Sequence, residues 1–222
     1  MKKRVLVVSV ALLSLALMAS VASAQNPSAK FAATVSEAVL IPTGGVDVPF
    51  TPVLVNHLKT GSKKDLLIGA SLQTGLITDT TVKSKGGDLS TAEAVAKIKV
   101  RVLVDGVAAH PAAVVYDARL QRLEAQFAGL NCTASLITGL VTCTDPEVLR
   151  LLLDTMGAHH FNFVAANLAA GDHTVVVEVA VDIAATATGG GLASAQAGVG
   201  VGSLTIEEVR ATNNPDGIII LE

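Results

Sequence analysis

The 222-residue chain predicts a mainly β fold, an antiparallel β-sandwich or jelly roll with one inserted α-helix over about 145–156. Three observations carry that expectation. Long stretches alternate apolar and polar residues with a period of two, the mark of half-buried strands. Clusters of Gly, Pro, Asp and Asn punctuate those stretches at short intervals, where a βαβ fold would need helical crossovers. One segment breaks the alternation: Asp145-Pro146-Glu147 followed by a leucine-rich run.

The N-terminus reads as a targeting segment. Met1-Lys2-Lys3-Arg4 is basic, residues 5–18 are apolar but short for a membrane span, and Ala22-Ser23-Ala24 places small residues at the −3 and −1 positions of a cleavage site. Cleavage after Ala24 is expected, which makes 1–24 a signal peptide and the product secreted or periplasmic. Gln25 stands where a lipoprotein would have cysteine. Residues 25–222 are then expected to form one sandwich domain, long enough to bury a core. Losing Lys2, Lys3 and Arg4 from 16 basic residues leaves 13 against 19 acidic ones, a formal charge of −6. That balance, with no dense basic cluster, argues against nucleic acid or anionic lipid as the main partner.

The strand candidates in order are 33–41, 53–58, 66–72, 94–104, 113–123, 161–165, 175–183, 197–209 and 217–221. The clearest is 94–104, with Ala96, Ile98, Val100, Val102 and Val104 on one face and Lys97, Lys99 and Arg101 on the other. Asp105-Gly106 ends it with hairpin-turn chemistry. Just upstream, Ser90-x-x-Glu93 has the form of a capping box and admits a helical turn before the strand. Residues 119–127 also fit helical spacing through Leu120, Leu123 and Phe127, but are read as extended. In the predicted helix Asp145 is the N-cap, Pro146 the first helical residue and Gly157 the stop. Val148, Leu149, Leu151, Leu152, Leu153 and Met156 give it a broad apolar face, which implies burial across a sheet. The Gly-rich segment 186–202 is expected to be a surface loop or a pair of strands in close backbone contact, and it lacks the pattern of a phosphate loop.

Chemistry is sparse. Cys132 and Cys143 are the only cysteines, and in an oxidising compartment they are expected to form one disulfide, worth roughly 2–3 kcal/mol. No G-x-S-x-G elbow or calcium loop is present, and Glu207 and Glu208 point to opposite faces of a strand. With no Trp and only Tyr116, the chain has little from which to build an aromatic sugar platform. Three of five histidines, His159, His160 and His173, lie close in sequence, but neighbours on a strand project oppositely and no metal motif fits their spacing. No metal, cofactor or catalytic residue is therefore assigned. A hairpin through 166–172 is expected instead, with 164 facing 174, 162 facing 176 and His160 beside Glu178.

These features point to an exported, non-enzymatic structural or surface component, or a binding module of unknown ligand. The alternatives are a secreted hydrolase or metal enzyme with a loop-built site, and a pilus-like or adhesion subunit. A homo-oligomer is possible if the valine-rich stretch 175–181, with only Glu178 to blunt it, lies at a sheet edge.

Overall fold

In the computed structural model the alternating segments become strands, several of them longer than their apolar cores suggest. The structure describes residues 30–36, 48–83, 88–126, 132–134, 139, 141–143 and 148–210. Among these, the strands in chain order are β1 (Phe31–Ser36), β2 (Thr51–Thr60), β3 (Lys64–Thr81), β4 (Leu89–Val104), β5 (Val107–Ala108), β6 (Val114–Gln126), β7 (Cys132–Ala134), β8 (Val141–Cys143), β9 (Val148–Gly157), β10 (His160–Leu168), β11 (Gly171–Thr188) and β12 (Leu192–Val209). The described residues contain no helix, and so none long and apolar enough to cross a membrane. The strand candidate 217–221 and the signal segment lie outside the described residues.

Two antiparallel sheets face each other. The first runs β1-β12-β3-β10; the second runs β2-β11-β4-β6-β9, with β5 beside β4, and β7 pairs with β8 in a separate ribbon. Period-two alternation puts Ile98, Val100, Val102, Val175, Val177 and Val179 of the second sheet against Leu66, Ile68, Phe163, Leu204 and Ile206 of the first. The Asp105-Gly106 turn has both residues at positive φ, 51° and 83°, which the twist of a two-residue hairpin demands and which Asp and Gly tolerate.

The register divides the sandwich into two unequal halves. Beside Lys64–Ser71 of β3 the first sheet is four strands wide, because β10 and β1 flank the β3–β12 pair there. Beyond Leu72 only β12 continues along β3, so the first sheet narrows to a two-stranded ribbon. The second sheet does the reverse. There β2 ends against Val179, and β6 and β9 take over on the other side of β4. The ribbon packs over β11, β4 and β6. Strand β9 projects past it.

Several expectations are corrected here. The helix over 145–156 is not formed: residues 148–157 are β9, laddered to β6 from Asp117↔Gly157 to Gln126↔Val148. At a period of two the run sets Leu149, Leu151 and Leu153 on one face and Arg150, Leu152 and Asp154 on the other, a pattern a strand carries as readily as a helix, and the odd-numbered leucines extend the face of β6. The capping box makes no helical turn either. Ser90 is buried inside β4, its hydroxyl donating to the Lys83 carbonyl (2.9 Å) and accepting from the Gly190 amide (3.2 Å). The expected hairpin between 161–165 and 175–183 does not exist. β10 joins β3 in one sheet and β11 joins β2 and β4 in the other, so the turn after Leu168 carries the chain across the sandwich. It follows that residues 175–179 of that stretch are paired on both sides, by β2 and β4, and form no edge. The Gly-rich segment is neither a loop throughout nor a strand pair: it is the end of β11 and the start of β12, in opposite sheets, joined by a tight turn at Gly189–Gly191.

Candidate functional site

The histidines separate into two polar sites on opposite sheets. His160 projects from the outer face of β10, directly across from Ser71 on β3. Its Nδ1 lies 2.6 Å from Ser71 Oγ and its Nε2 2.9 Å from Asn162 Oδ1. The Asn162 carbonyl oxygen can only accept, so Nε2 carries the proton and Nδ1 accepts from the serine hydroxyl. The ring lies over Gly69, where a Cβ would meet His160 Cε1 at 2.8 Å, so glycine there is what lets the ring lie flat. Serine, histidine and amide thus stand in the order nucleophile, base, orienting group. One donor expected of an oxyanion site is engaged elsewhere, however. The amide following the serine, Leu72 N–H, points inward and donates to the Tyr116 hydroxyl (2.9 Å). The neighbouring depression, bordered by Val35, Ser71, His159 and Ser203, is shallow and open. Chemically the trio can hold a hydroxyl in a fixed orientation beside an open depression.

His173 is the first inward-facing residue of β11 and is buried. Its Nδ1 is 2.6 Å from Asp105 Oδ2 and its Nε2 3.0 Å from the Ala169 carbonyl. Both partners are acceptors, so the arrangement favours the doubly protonated ring, in which both nitrogens donate. The hydrogen bond to Asp105 raises the His173 pKa above the usual histidine value, against the opposing effect of burial, with a further contribution from Ala169. Reciprocally, the bond from His173, then the one from the Thr174 amide (2.8 Å), holds Asp105 below the usual carboxylate range. The Ala169 carbonyl also accepts from Thr60 Oγ1 (3.0 Å), and Asp65 accepts from the Asn167 amide (2.9 Å). The cluster is a latch that ties three turns together at the closed end of the sandwich.

Glu178, expected beside His160, instead binds Arg101 across the β4–β11 ladder, with Nε donating to Oε2 at 2.6 Å. Among the described residues no group of three or more His, Cys, Asp or Glu is placed to hold a metal ion. Cys132 and Cys143 are direct partners in the β7–β8 register. Asn162 was within reach of sequence reasoning, since it shares a face with His160 by alternation. Ser71 and Asp105 were not, because they meet their histidines across 89 and 68 residues of chain.

The third feature is an exposed edge rather than a polar cluster. On β9, Leu149 is 67% exposed, Leu151 57%, Leu152 44%, Leu153 51% and Met156 61%. The ladders explain why. Ala92, Leu123 and Leu151 lie in one cross-strand row, as do Ala94, Gln121 and Leu153, so the odd-numbered leucines continue the inner face of the second sheet. The narrow β3–β12 ribbon does not extend over them. Elsewhere β2 carries Pro52 and a register shift, β10 is bridged by His110 to Val164, and β1 has only 6 residues. The β3–β12 ribbon and β11 beyond Val179 are also open, but among the described residues neither carries a comparable run of exposed leucines. No protein-family model matches the chain, and a search of curated proteins finds no significant relative.

Proposed function

We propose that the protein is exported, loses residues 1–24, and acts outside the cytoplasm as a non-enzymatic structural or surface sandwich that docks along its β9 edge. The observation that supports this reading is the pairing of unprotected backbone and large apolar side chains on one strand. An edge of that kind is a template for strand addition, which natural sheets otherwise blunt with charge, proline or bulges. The latch at the other end and the deep core supply a rigid frame for that edge. Covalent reinforcement of the ribbon preceding β9 is part of the proposal. Antiparallel partners lie about 4.5–5.5 Å apart at Cα, inside the range a disulfide spans, so Cys132 and Cys143 are proposed to be bonded.

Site-specific photo-crosslinking in exporting cells tests the reading. A crosslinking residue at position 153 should yield a defined higher-mass adduct, while the same residue at position 55, on β2, should not. Intact mass of the uncrosslinked protein should begin at Gln25 and be lighter than the reduced chain by two hydrogens. Adducts from position 55 but not 153, or a chain retaining Met1, would count against it.

A further inference from the structure

Resting on that reading, we infer that the occupant of the β9 edge is the β9 of a second copy, paired antiparallel about a two-fold axis through Leu152. The strand carries two charges, Arg150 and Asp154, placed symmetrically about Leu152. Both are exposed, and neither has an ion-pair or hydrogen-bond partner among the described residues. In an antiparallel pair centred on Leu152, each Arg150 stands directly opposite the other copy's Asp154, twice over. Leu152 meets its own copy between them, all on one face. On the other face Leu151 stands opposite the second copy's Leu153, and Leu149 opposite its Thr155. That second face is the one continuous with Leu123 and Ala125 of β6, so the inner surface of one second sheet runs on into the next.

No other register does this. Moving the centre to Leu151 or Leu153 sets Arg150 opposite Leu152 or Met156, and strands both carboxylates away from the guanidinium groups. Parallel in-register pairing sets Arg150 against Arg150 and Asp154 against Asp154. Shifting by a single residue exchanges the charged face for the leucine face. The self-complementary charge pattern therefore selects an isologous contact, the same patch on both copies, and closes the assembly as a dimer instead of a fibre. The β2-β11-β4-β6-β9 order of one copy becomes continuous with that of the other across the axis.

Charge exchange tests this on the full mature protein by sedimentation velocity over a concentration series. Arg150→Asp places two carboxylates opposite each other at both ends of the contact, and Asp154→Arg places two guanidinium groups there. Each variant alone should weaken dimerisation by about a hundredfold. Mixed in equal amounts, the two should recover a dimer containing one copy of each, because Asp at 150 then faces Arg at 154. The double variant Arg150→Asp/Asp154→Arg should dimerise like the wild type. Both substituted positions are exposed, and matching circular dichroism spectra check that the fold is retained. Dimers unaffected by either single change, or single variants that stay monomeric when mixed, overturn the inference. If the crosslink from position 153 survives but its adduct has the mass of a different protein, the edge docks as proposed and only the second copy is wrong. If position 153 gives no adduct and the wild type is a monomer, both fall.

Discussion

The two halves of the sandwich solve the same packing problem with different residues. In the half where four strands cover the second sheet, Leu66, Ile68, Val102, Phe163, Val177 and Ile206 are fully buried and interdigitate as a single apolar core. In the other half the inward rows of β4 are Ala92, Ala94 and Ala96, small enough for a two-stranded ribbon to lie close. There the sheets are joined by hydrogen bonds. Thr74 Oγ1 donates to Asp117 (2.6 Å), Thr78 Oγ1 to Gln121 Oε1 (2.9 Å), and Gln121 Nε2 to Thr80 Oγ1 (2.8 Å). Arg119 Nε, on the same face, is buried with no partner. The lesson is a division of labour. The wide half holds the fold together through apolar burial, and the narrow half accepts weaker polar packing in exchange for leaving β9 uncovered.

The largest effect that tests this division is expected from Phe163→Ala. Phe163 is fully buried at the centre of the wide half, with its ring 5.3 Å from that of Phe161. Truncation removes apolar contact and leaves a cavity, at a cost of about 3–5 kcal/mol. Urea unfolding should show that loss in the midpoint. A change below about 1 kcal/mol would mean the core is not where the stability lies. Next comes Tyr116→Phe at the junction of the halves. Leu72 sits where β10 has ended and the β3–β12 register shifts, so its amide has lost its ladder partner and bonds the buried tyrosine hydroxyl. Removing that hydroxyl strands the amide, at about 1–3 kcal/mol with little change in packing. An unchanged midpoint would show that the amide finds another acceptor.

Individual strands were legible in the sequence, while their pairing in the wide half and the β9 edge of the narrow half were not, for physical reasons. Alternation of β-branched residues over 94–104 specifies a strand and its buried face through local chemistry alone. Which sheet that strand joins is a long-range matter. The two residues between Leu168 and Gly171 can serve a hairpin or a crossing, and only the packing of Phe163 and Val175 on opposite sheets decides between them. The leucines of β9 misled for a sharper reason. Leucine favours helices, Asp145-Pro146 is a good helix start, and an exposed apolar strand is what folding rules tell one not to expect. The residues that break those rules are the ones proposed to carry the function. The His160 site was half visible, through Asn162. The latch was not, since neither Asp105 nor Ala169 stands out until the turns come together.

The smallest effect concerns that latch, which closes the wide half and should make its stability depend on pH in a way the narrow half does not. The carboxylate of Asp105 is about half exposed, so solvent screens the pair and limits its size. Its sign is nonetheless defined. His173 has a pKa raised above 6.5, chiefly by the bond to Asp105, so its contribution is complete below 6.5 and fades as pH rises through the raised value. Asp105 has a pKa lowered below 3.8, chiefly by the bond from His173, so its contribution is complete above 3.8 and fades as pH falls through the lowered value. The latch therefore holds best between those two ordinary values, and loosens as pH rises through the raised histidine value or falls through the lowered carboxylate value. Thermal melts of the wild type should accordingly fall in Tm from mildly acidic to alkaline pH. His173→Gln keeps a donor and a similar shape but cannot ionise, so its melts should be flatter over the same range. Asp105→Asn should flatten the profile at both ends. A Tyr116→Phe control should shift the whole curve without changing its slope. If His173→Gln retains the wild-type alkaline slope, the titrating group lies elsewhere and the imidazolium assigned to this latch is wrong.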